Sequence, residues 1–410
     1  MAVRMLDGVK VLDLSRVLAG PWCTQILADF GADVIKIEMP GKGDDTRAWG
    51  PPYVQTADGG DDLELSGYFV CCNRNKRSLA VDIADPRGAV LIRRLAGQAD
   101  IIVENFKVGG LARYGLDHDS LKAVNPRLVY CSITGFGQTG PYADRPGYDF
   151  VVQGMGGFMS VTGEEGGRPL KAGVAMADLS TGLYAAVTIL AALRHAERTG
   201  EGQHIDLALL DTQIAMLANQ SMNWLVGGKA PGRLGNRHPN IVPYRTFEVA
   251  DGMIIIAVGN DGQFRQLCDK LGQPALADDP RFATNRARFA NRAEIEQIIQ
   301  DLVRGIAGAA LIDRLVAAGI PAGPVNDLQQ VFEDPNIEAR ETVHRFVRDD
   351  AVAVPSVAFP AKLSATPADY RHPPPRVGEQ SLEVLQDWLA LEEAELADLT
   401  QAGVITQANA

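Results

Sequence analysis

The sequence predicts an α/β protein: a doubly wound parallel sheet in a large first domain, followed by a smaller α+β domain. Three observations carry this. Short apolar runs bounded by turn residues recur along the first 135 residues, and helical stretches separate them. Past residue 225 the pattern changes to a hairpin followed by helices. A proline-rich tail then precedes one more helix. Strands alternating with helices of this length form parallel sheets covered on both faces.

In chain order, "VKVLDLS" opens as a buried strand, and "PWCTQILADFG" is a helix with Pro21 in its first turn and Gly31 at its end. "ADVIKIEMP" and "RSLAVDI" are the next strands. The helix "PRGAVLIRRLAGQA", the strand "ADIIVENF", the helix "LDHDSLKAVN" and the strand "RLVYCSITGFG" complete the set. Ligands of such sheets bind beyond the carboxyl ends of the strands, so the loops after Leu14, Ile37, Ile83, Val103 and Ile133 are where chemistry is expected. From about 145 to 225 the chain reads as helical, interrupted by "QHIDLALLD". "YRTFEVADGMIIIAVGN" is a hairpin turning at Ala250, Asp251 and Gly252, and "IPAGPV" is a short strand expected to lead back to the first domain. The expected division is 1–225 for the first part of the large domain, 226–325 for the small one, and 326–410 returning to the large one.

A net charge of −12 argues against nucleic acid or an anionic membrane as the main partner. No apolar run is expected to span a bilayer, and the start lacks a signal-peptide core. Five cysteines and six histidines show neither a disulfide framework nor metal-ligand spacing. A cytoplasmic protein with no metal is expected. Against the acidic background, basic residues gather in the strand-end loops: Lys42, Arg47, Arg74, Lys76, Arg77, Lys107 and Arg113. One reading is a solvated face; the other is a pocket for a small polyanion with several phosphates.

"GFGQTG" matches a dinucleotide fingerprint, but Pro141 follows where a helix must open, so NAD binding is rejected. The loop of Gly135, Phe136 and Gly137 is read instead as lying close to a substrate. No "GxSxG" is present, and Cys23 reads as a core thiol. In "KAGVAMADLSTGLYAA" a single acid, Asp178, stands at the mouth of a long alanine-rich helix. It is either the helix cap or a nucleophile that the helix dipole keeps ionised. The segment alone leaves both readings open.

Taken together, "LDGVKVLDLSRVLAGPWCTQILADFGADVIKIE", "PGKGDDTR", "NRNKRSLAVDI", "ADIIVENFKVGGLARYGL", "NPRLVYCSITGFGQTGPY", "GYDFVVQGMGGFMSVTG", "GVAMADLSTGLYAA", "GEGQHIDLALLD" and "GIPAGPVN" resemble the class III (CaiB/BaiF) CoA-transferase family. The resemblance runs through nearly the whole chain. It implies a Rossmann-like large domain, a small domain, and two chains threaded into an interlocked homodimer. It implies that coenzyme A, or its acyl thioester, is a substrate rather than a resident cofactor. Asp178 matches the catalytic aspartate, which attacks the thioester and carries CoA as an aspartyl thioester. CoA contacts are implied at Val17, Leu18, Ala19, Val81, Asp82, Ile83, Ala84, Asn105, Phe106, Lys107 and Arg113, with the open glycine loop supplying oxyanion donors.

Met39 and Thr134 stand where formyl-CoA transferases carry arginine and lysine, which argues against formyl-CoA and oxalate. "NIVPYRTFEVADGMIIIAVGNDGQF" and "PPPRVGEQ" look most like the branch that moves CoA between dicarboxylic acids, such as succinyl-CoA:glutarate transferases. Arg47 is the first expectation for the distal carboxylate, Arg237 or Arg245 the second, since guanidinium grips carboxylate bidentately. Two alternatives are weighed. Related α-methylacyl-CoA racemases pair the same aspartate with the histidine of "GHD"; here the motif is "GYD", Tyr148 holds that place, and a phenol is a poor base at neutral pH. A noncatalytic CoA-binding subunit of a heterodimer is the other, and the presence of Asp178 argues against it.

Overall fold

The computed structural model describes residues 4–348 and 352–408. The chain divides into two compact units, residues 1–158, 171–227 and 339–410 in the first, and 159–170 and 228–338 in the second. The stretch 159–170, which the sequence reading leaves in the large domain, thus packs with the second unit.

The first unit is built on a seven-stranded sheet. Six strands run parallel: β1 (Lys10–Asp13), β2 (Asp33–Glu38), β5 (Lys76–Val81), β6 (Ile101–Glu104), β7 (Val129–Thr134) and β8 (His204–Ala208). A separate hairpin, β3 (Tyr53–Gln55) and β4 (Asp61–Ser66), lies between β2 and β5 in sequence. The sheet order is β14-β5-β2-β1-β6-β7-β8, where β14 (Ile405–Thr406) pairs antiparallel with β5. Side chains alternate across the sheet with period two. Leu12, Ile35, Ile102 and Tyr130 enter one core with the helices Pro86–Ala96 and Ser381–Leu389. Val11, Val34, Ile101, Val103 and Cys131 enter the other with Ala19–Asp29 and Met176–Thr199. Burial on both faces is why the strands read as continuous apolar runs.

The strand order reverses beside β1, with β2 on one side and β6 on the other. The loops leaving β1 and β6 are clipped together there. Asn105 Oδ1 accepts from the Arg16 N–H at 2.9 Å, and its Nδ2 donates to the Arg16 carbonyl at 2.7 Å. Crevices at such reversals are the binding sites of open α/β sheets.

The helix Met176–Thr199 corrects one expectation. Its 24 residues contain an 18-residue window of mean hydropathy 1.5, long and apolar enough to cross a bilayer. Half of that window is buried within the fold, with Ala177, Ala185, Ile189 and Ala192 in the core shared with β6 and β7.

In the second unit, β9 (Tyr244–Val249) and β10 (Gly252–Ala257) form the expected hairpin across Ala250 and Asp251. The segment read as leading back to the first domain instead supplies β11 (Ala322–Pro324), antiparallel to β10 at the edge of a three-stranded sheet. Helices Asp261–Lys270, Arg292–Val303 and Gly308–Val316 cover it around Phe247, Ile254, Phe264 and Leu311. In the tail, β12 (Val343–Val347) pairs with β13 (Ala353–Val357), and Phe346 and Val354 pack on Leu65 and Phe69 of the first unit's own core. Trp388 then donates to Asp33 at 2.8 Å, tying the last helices to β2.

Candidate active site

A cavity of about 610 Å³ opens at the carboxyl ends of β1, β6 and β7. Val17, Leu18 and Ala19 form one wall, Asn105, Phe106, Lys107 and Arg113 another, and Gly135, Gly147 and Tyr148 a third. Asp178 stands on its lining. Ten of the residues singled out in the sequence therefore meet around one space.

The helix that carries Asp178 begins at Met176, and its N-cap residue Ala175 offers no side-chain acceptor. The cap comes from elsewhere in the chain. Asp149, first residue of the helix Asp149–Met155, accepts from the Ala177 N–H at 2.8 Å and more loosely from the Asp178 N–H at 3.4 Å. Its second oxygen accepts from Gln153 at 2.7 Å. Asp178 is thus relieved of capping, and among the described residues no side chain or backbone group hydrogen-bonds its carboxylate. Of the two readings left open by the sequence, the cap fails.

Burial pushes the Asp178 carboxyl up to about 7, and the nearby charge of Asp149 adds to it. The expected ionising effect of the helix dipole is outweighed here by loss of water and by a like charge. Tyr68, absent from the sequence reading, is raised by its burial and next by the field of Asp178.

Close backbone contacts fix this geometry. A side chain at Gly182 would lie 2.7 Å from the Ala19 carbonyl, so the helix bearing Asp178 abuts the wall 17–19 directly. A Cβ at Gly135 would stand 2.5 Å from the Gly147 Cα, which brings the segment 143–148 over the cavity. Gly135→Ala is therefore expected to lower thermal stability by ~1–3 kcal/mol and to cost at least about tenfold in turnover, as read by melting and steady-state assay.

Other sequence candidates fall elsewhere. Phe136 and Gly137 are not on the cavity lining. The Gly137 N–H donates to Thr134 Oγ1 at 3.0 Å, and the Gln138 N–H to Asp206 at 3.0 Å, so these two N–H groups anchor the loop to β7 and β8. Val81, Asp82, Ile83 and Ala84 line a second cavity of about 230 Å³ with Met39 and Lys42, and Phe106 and Arg113 border both spaces. Arg47 is buried against Glu38, with Nη2 2.6 Å and Nε 2.9 Å from its two oxygens, and Nη1 donates to the Glu64 carbonyl. Three of its N–H donors are engaged there, and it lies on the lining of neither cavity. Arg237 and Arg245 both contact buried Glu296 within the second unit, at 2.8 and 3.2 Å. Cys23 is fully buried and burial raises its thiol pKa strongly, as a core thiol requires.

Sequence reasoning misses Asp149, Arg145 and Arg16. Asp149 is visible as the acid of "GYD", but nothing local shows that it caps the helix at Met176. Arg145 lies over the Tyr142 ring at 3.9 Å on the cavity rim, and Arg16 pairs with Asp45 at 2.8 Å. The cavity's cations are thus Arg16, Lys107, Arg113 and Arg145.

A doubly wound sheet whose switch-point cavity is lined by four cations and holds one half-buried carboxylate free of hydrogen bonds is the architecture of an α/β enzyme acting on a small anionic molecule. The chain matches CoA-transferase family III over residues 6–381, and it belongs to that family. It is similar to succinate–glutarate CoA-transferase of Agrobacterium fabrum, 54% identical over 94% of this chain and 96% of that one. It is 40% identical to succinyl-CoA:glutarate CoA-transferase of Homo sapiens, over 99% of this chain and 91% of that one. A crystal structure of a CaiB/BaiF family protein from Brucella suis superposes with a TM-score of 0.82 at 49% identity, covering 93% and 99% of the two chains. The protein is a class III CoA-transferase whose substrates are CoA thioesters.

Proposed function

We propose that this enzyme moves CoA from succinyl-CoA to a second dicarboxylic acid, glutarate first among them, with Asp178 as the covalent carrier. The observation that carries the reading is the half-buried Asp178 carboxylate, unshared by any hydrogen bond and facing the cavity at the sheet's switch point. The names of the similar enzymes supply the acids.

The chemistry balances at this residue. An Asp178 oxygen attacks the thioester carbonyl, the C–S bond breaks, and an acyl–aspartyl anhydride forms beside the CoA thiolate. The thiolate attacks the aspartyl carbonyl, releasing succinate and leaving an aspartyl–CoA thioester. The incoming carboxylate attacks that thioester and expels the thiolate, which then takes the new acyl group and frees Asp178. Each step trades one acyl bond for another. The helix Ala19–Asp29 has no side-chain cap at Leu18, so its first N–H groups are available to the oxyanions formed beside Asp178. CoA fits a path through both cavities, its adenosine end beside Val81–Ala84 and Lys42, its pantetheine end past Phe106 toward Asp178.

The nucleophile must be ionised. Because the Asp178 carboxyl titrates at about 7, kcat/KM is expected to climb with pH below 7 and level off above it. Asp149→Asn keeps a capping oxygen and removes the like charge, so it should move that limb to lower pH. An unmoved limb in a folded variant would show that another group titrates. The racemase alternative predicts deuterium wash-in at the α-carbon of a 2-methylacyl-CoA at rates matching CoA exchange; none is expected.

The interlocked homodimer belongs to the same proposal. Leu183, Val187, Trp224, Leu225 and Val226 are all more than half exposed in the single chain, the last at 83%. Apolar exposure on this scale supports a partner surface, and we read it as the face of a cytoplasmic dimer. Sedimentation at nanomolar concentration should find dimer; an active, stable monomer would refute it.

A further inference from the structure

Beneath the wall that faces Asp178 lies a buried ion pair that takes no part in the bond-making steps, although both its residues border the second cavity. Val17 has φ of +73°, a left-handed conformation that a β-branched residue rarely takes. Its N–H points at both oxygens of Asp44, at 3.2 and 3.3 Å. Asp44 is 2% exposed, and three other donors hold it: Lys36 Nζ at 2.9 Å, the Thr46 N–H at 3.0 Å and Thr46 Oγ1 at 2.9 Å. Lys36 is wholly buried and also donates to the Ser15 carbonyl at 3.0 Å. One lysine–aspartate pair therefore grips both ends of the turn 15–17, from its carbonyl side and its N–H side.

We infer that the Lys36–Asp44 pair is a positioning device, which holds Val17 left-handed and so fixes the Leu18 and Ala19 backbone opposite Asp178. Burial alone would push the Asp44 carboxyl up, but Lys36 and Thr46 outweigh it and hold it at about 2, so the latch is charged at any working pH. A strained residue at a reaction centre persists only where its surroundings enforce it. Val17 leads directly into Leu18 and Ala19 on the cavity wall, and Ala19 is the residue whose carbonyl touches the Asp178 helix at Gly182. Motion at Val17 thus changes the distance between nucleophile and acyl carbon. The inference rests on the transfer reading for its readout, not on which acid is transferred.

The test is a double-mutant cycle in the full-length enzyme, with succinyl-CoA as donor and glutarate as acceptor. Asp44→Asn weakens the grip on Val17 and should lower kcat by roughly 30-fold or more, with KM for the CoA ester changed far less. Glycine adopts left-handed φ without strain. In a Val17→Gly background the same Asp44→Asn change should therefore cost only about threefold. A purely structural role predicts the same loss in both backgrounds, or a fall in melting temperature with kcat intact; either result overturns the inference. If Asp44→Asn does not fold, Thr46→Val removes one hydrogen bond without stranding Lys36. It should lower kcat by about fivefold with Val17 present, and leave it unchanged in the Val17→Gly background. The cycle is a ratio within one assay, so it stands or falls separately from Asp178, whose role is read by adduct mapping.

Discussion

Asp178→Asn is expected to leave a folded protein that binds CoA and turns over at least ~10⁴-fold more slowly, as removal of a covalent nucleophile does. The helix keeps its cap in the variant, because Asp149 accepts from Ala177 and owes nothing to the residue 178 side chain. Stability moves the opposite way. The folded Asp178 carboxyl titrates at about 7, above its unfolded value. A group raised in this way contributes fully below the unfolded pKa, and that contribution is lost as pH rises through the folded one. Wild type thus bears a cost above pH 7 that asparagine lacks, so the variant should melt higher than wild type at pH 8 and equally near pH 4. Opposed changes in activity and stability mark a functional residue. A variant that loses both would indicate a structural role.

Gly182→Ala should give the second largest effect without touching a reacting atom. The added methyl would lie 2.7 Å from the Ala19 carbonyl and 3.1 Å from the Trp22 ring. A backbone carbonyl cannot step aside, so the helix must back away. Asp178 lies one turn earlier on the same face and moves with it. Displacement of about 1 Å at a reacting group costs on the order of 10² in rate. The loss should fall on kcat more than on KM, with a melting penalty of ~1–3 kcal/mol for overpacking. Gly173→Ala, where a Cβ meets nothing within 4 Å, is the control and should behave as wild type.

The parallel strands are legible because burial on both faces leaves continuous apolar runs, as in "VKVLDLS" and "ADVIKIEMP". The strand β8 reads only as an interruption among helices, since its alternation in "HIDLA" is short and half exposed. Edge strand β14 spans two residues and has no pattern to read. At the site, the loops after Leu14 and Val103 are legible as strand ends, whereas Asp178 and the individual residues of the walls 17–19 and 105–107 come from the family resemblance. Arg47 shows the limit. A lone arginine in a glycine loop looks free in sequence, but its bidentate partner Glu38 sits at the end of β2, and only the fold brings them together. Asp149 shows the same limit from the other side, as a cap supplied across 28 residues.

The proposed transfer turns on a covalent bond at one carboxylate, Asp178. The direct measurement is mass spectrometry of peptides from wild-type enzyme incubated with succinyl-CoA and no acceptor, with and without hydroxylamine. CoA or succinyl should be found on the peptide containing "AMADLSTG", cleaved by hydroxylamine and absent from Asp178→Asn. An adduct on Cys71 or another thiol, or none in an enzyme that still exchanges CoA, would contradict it.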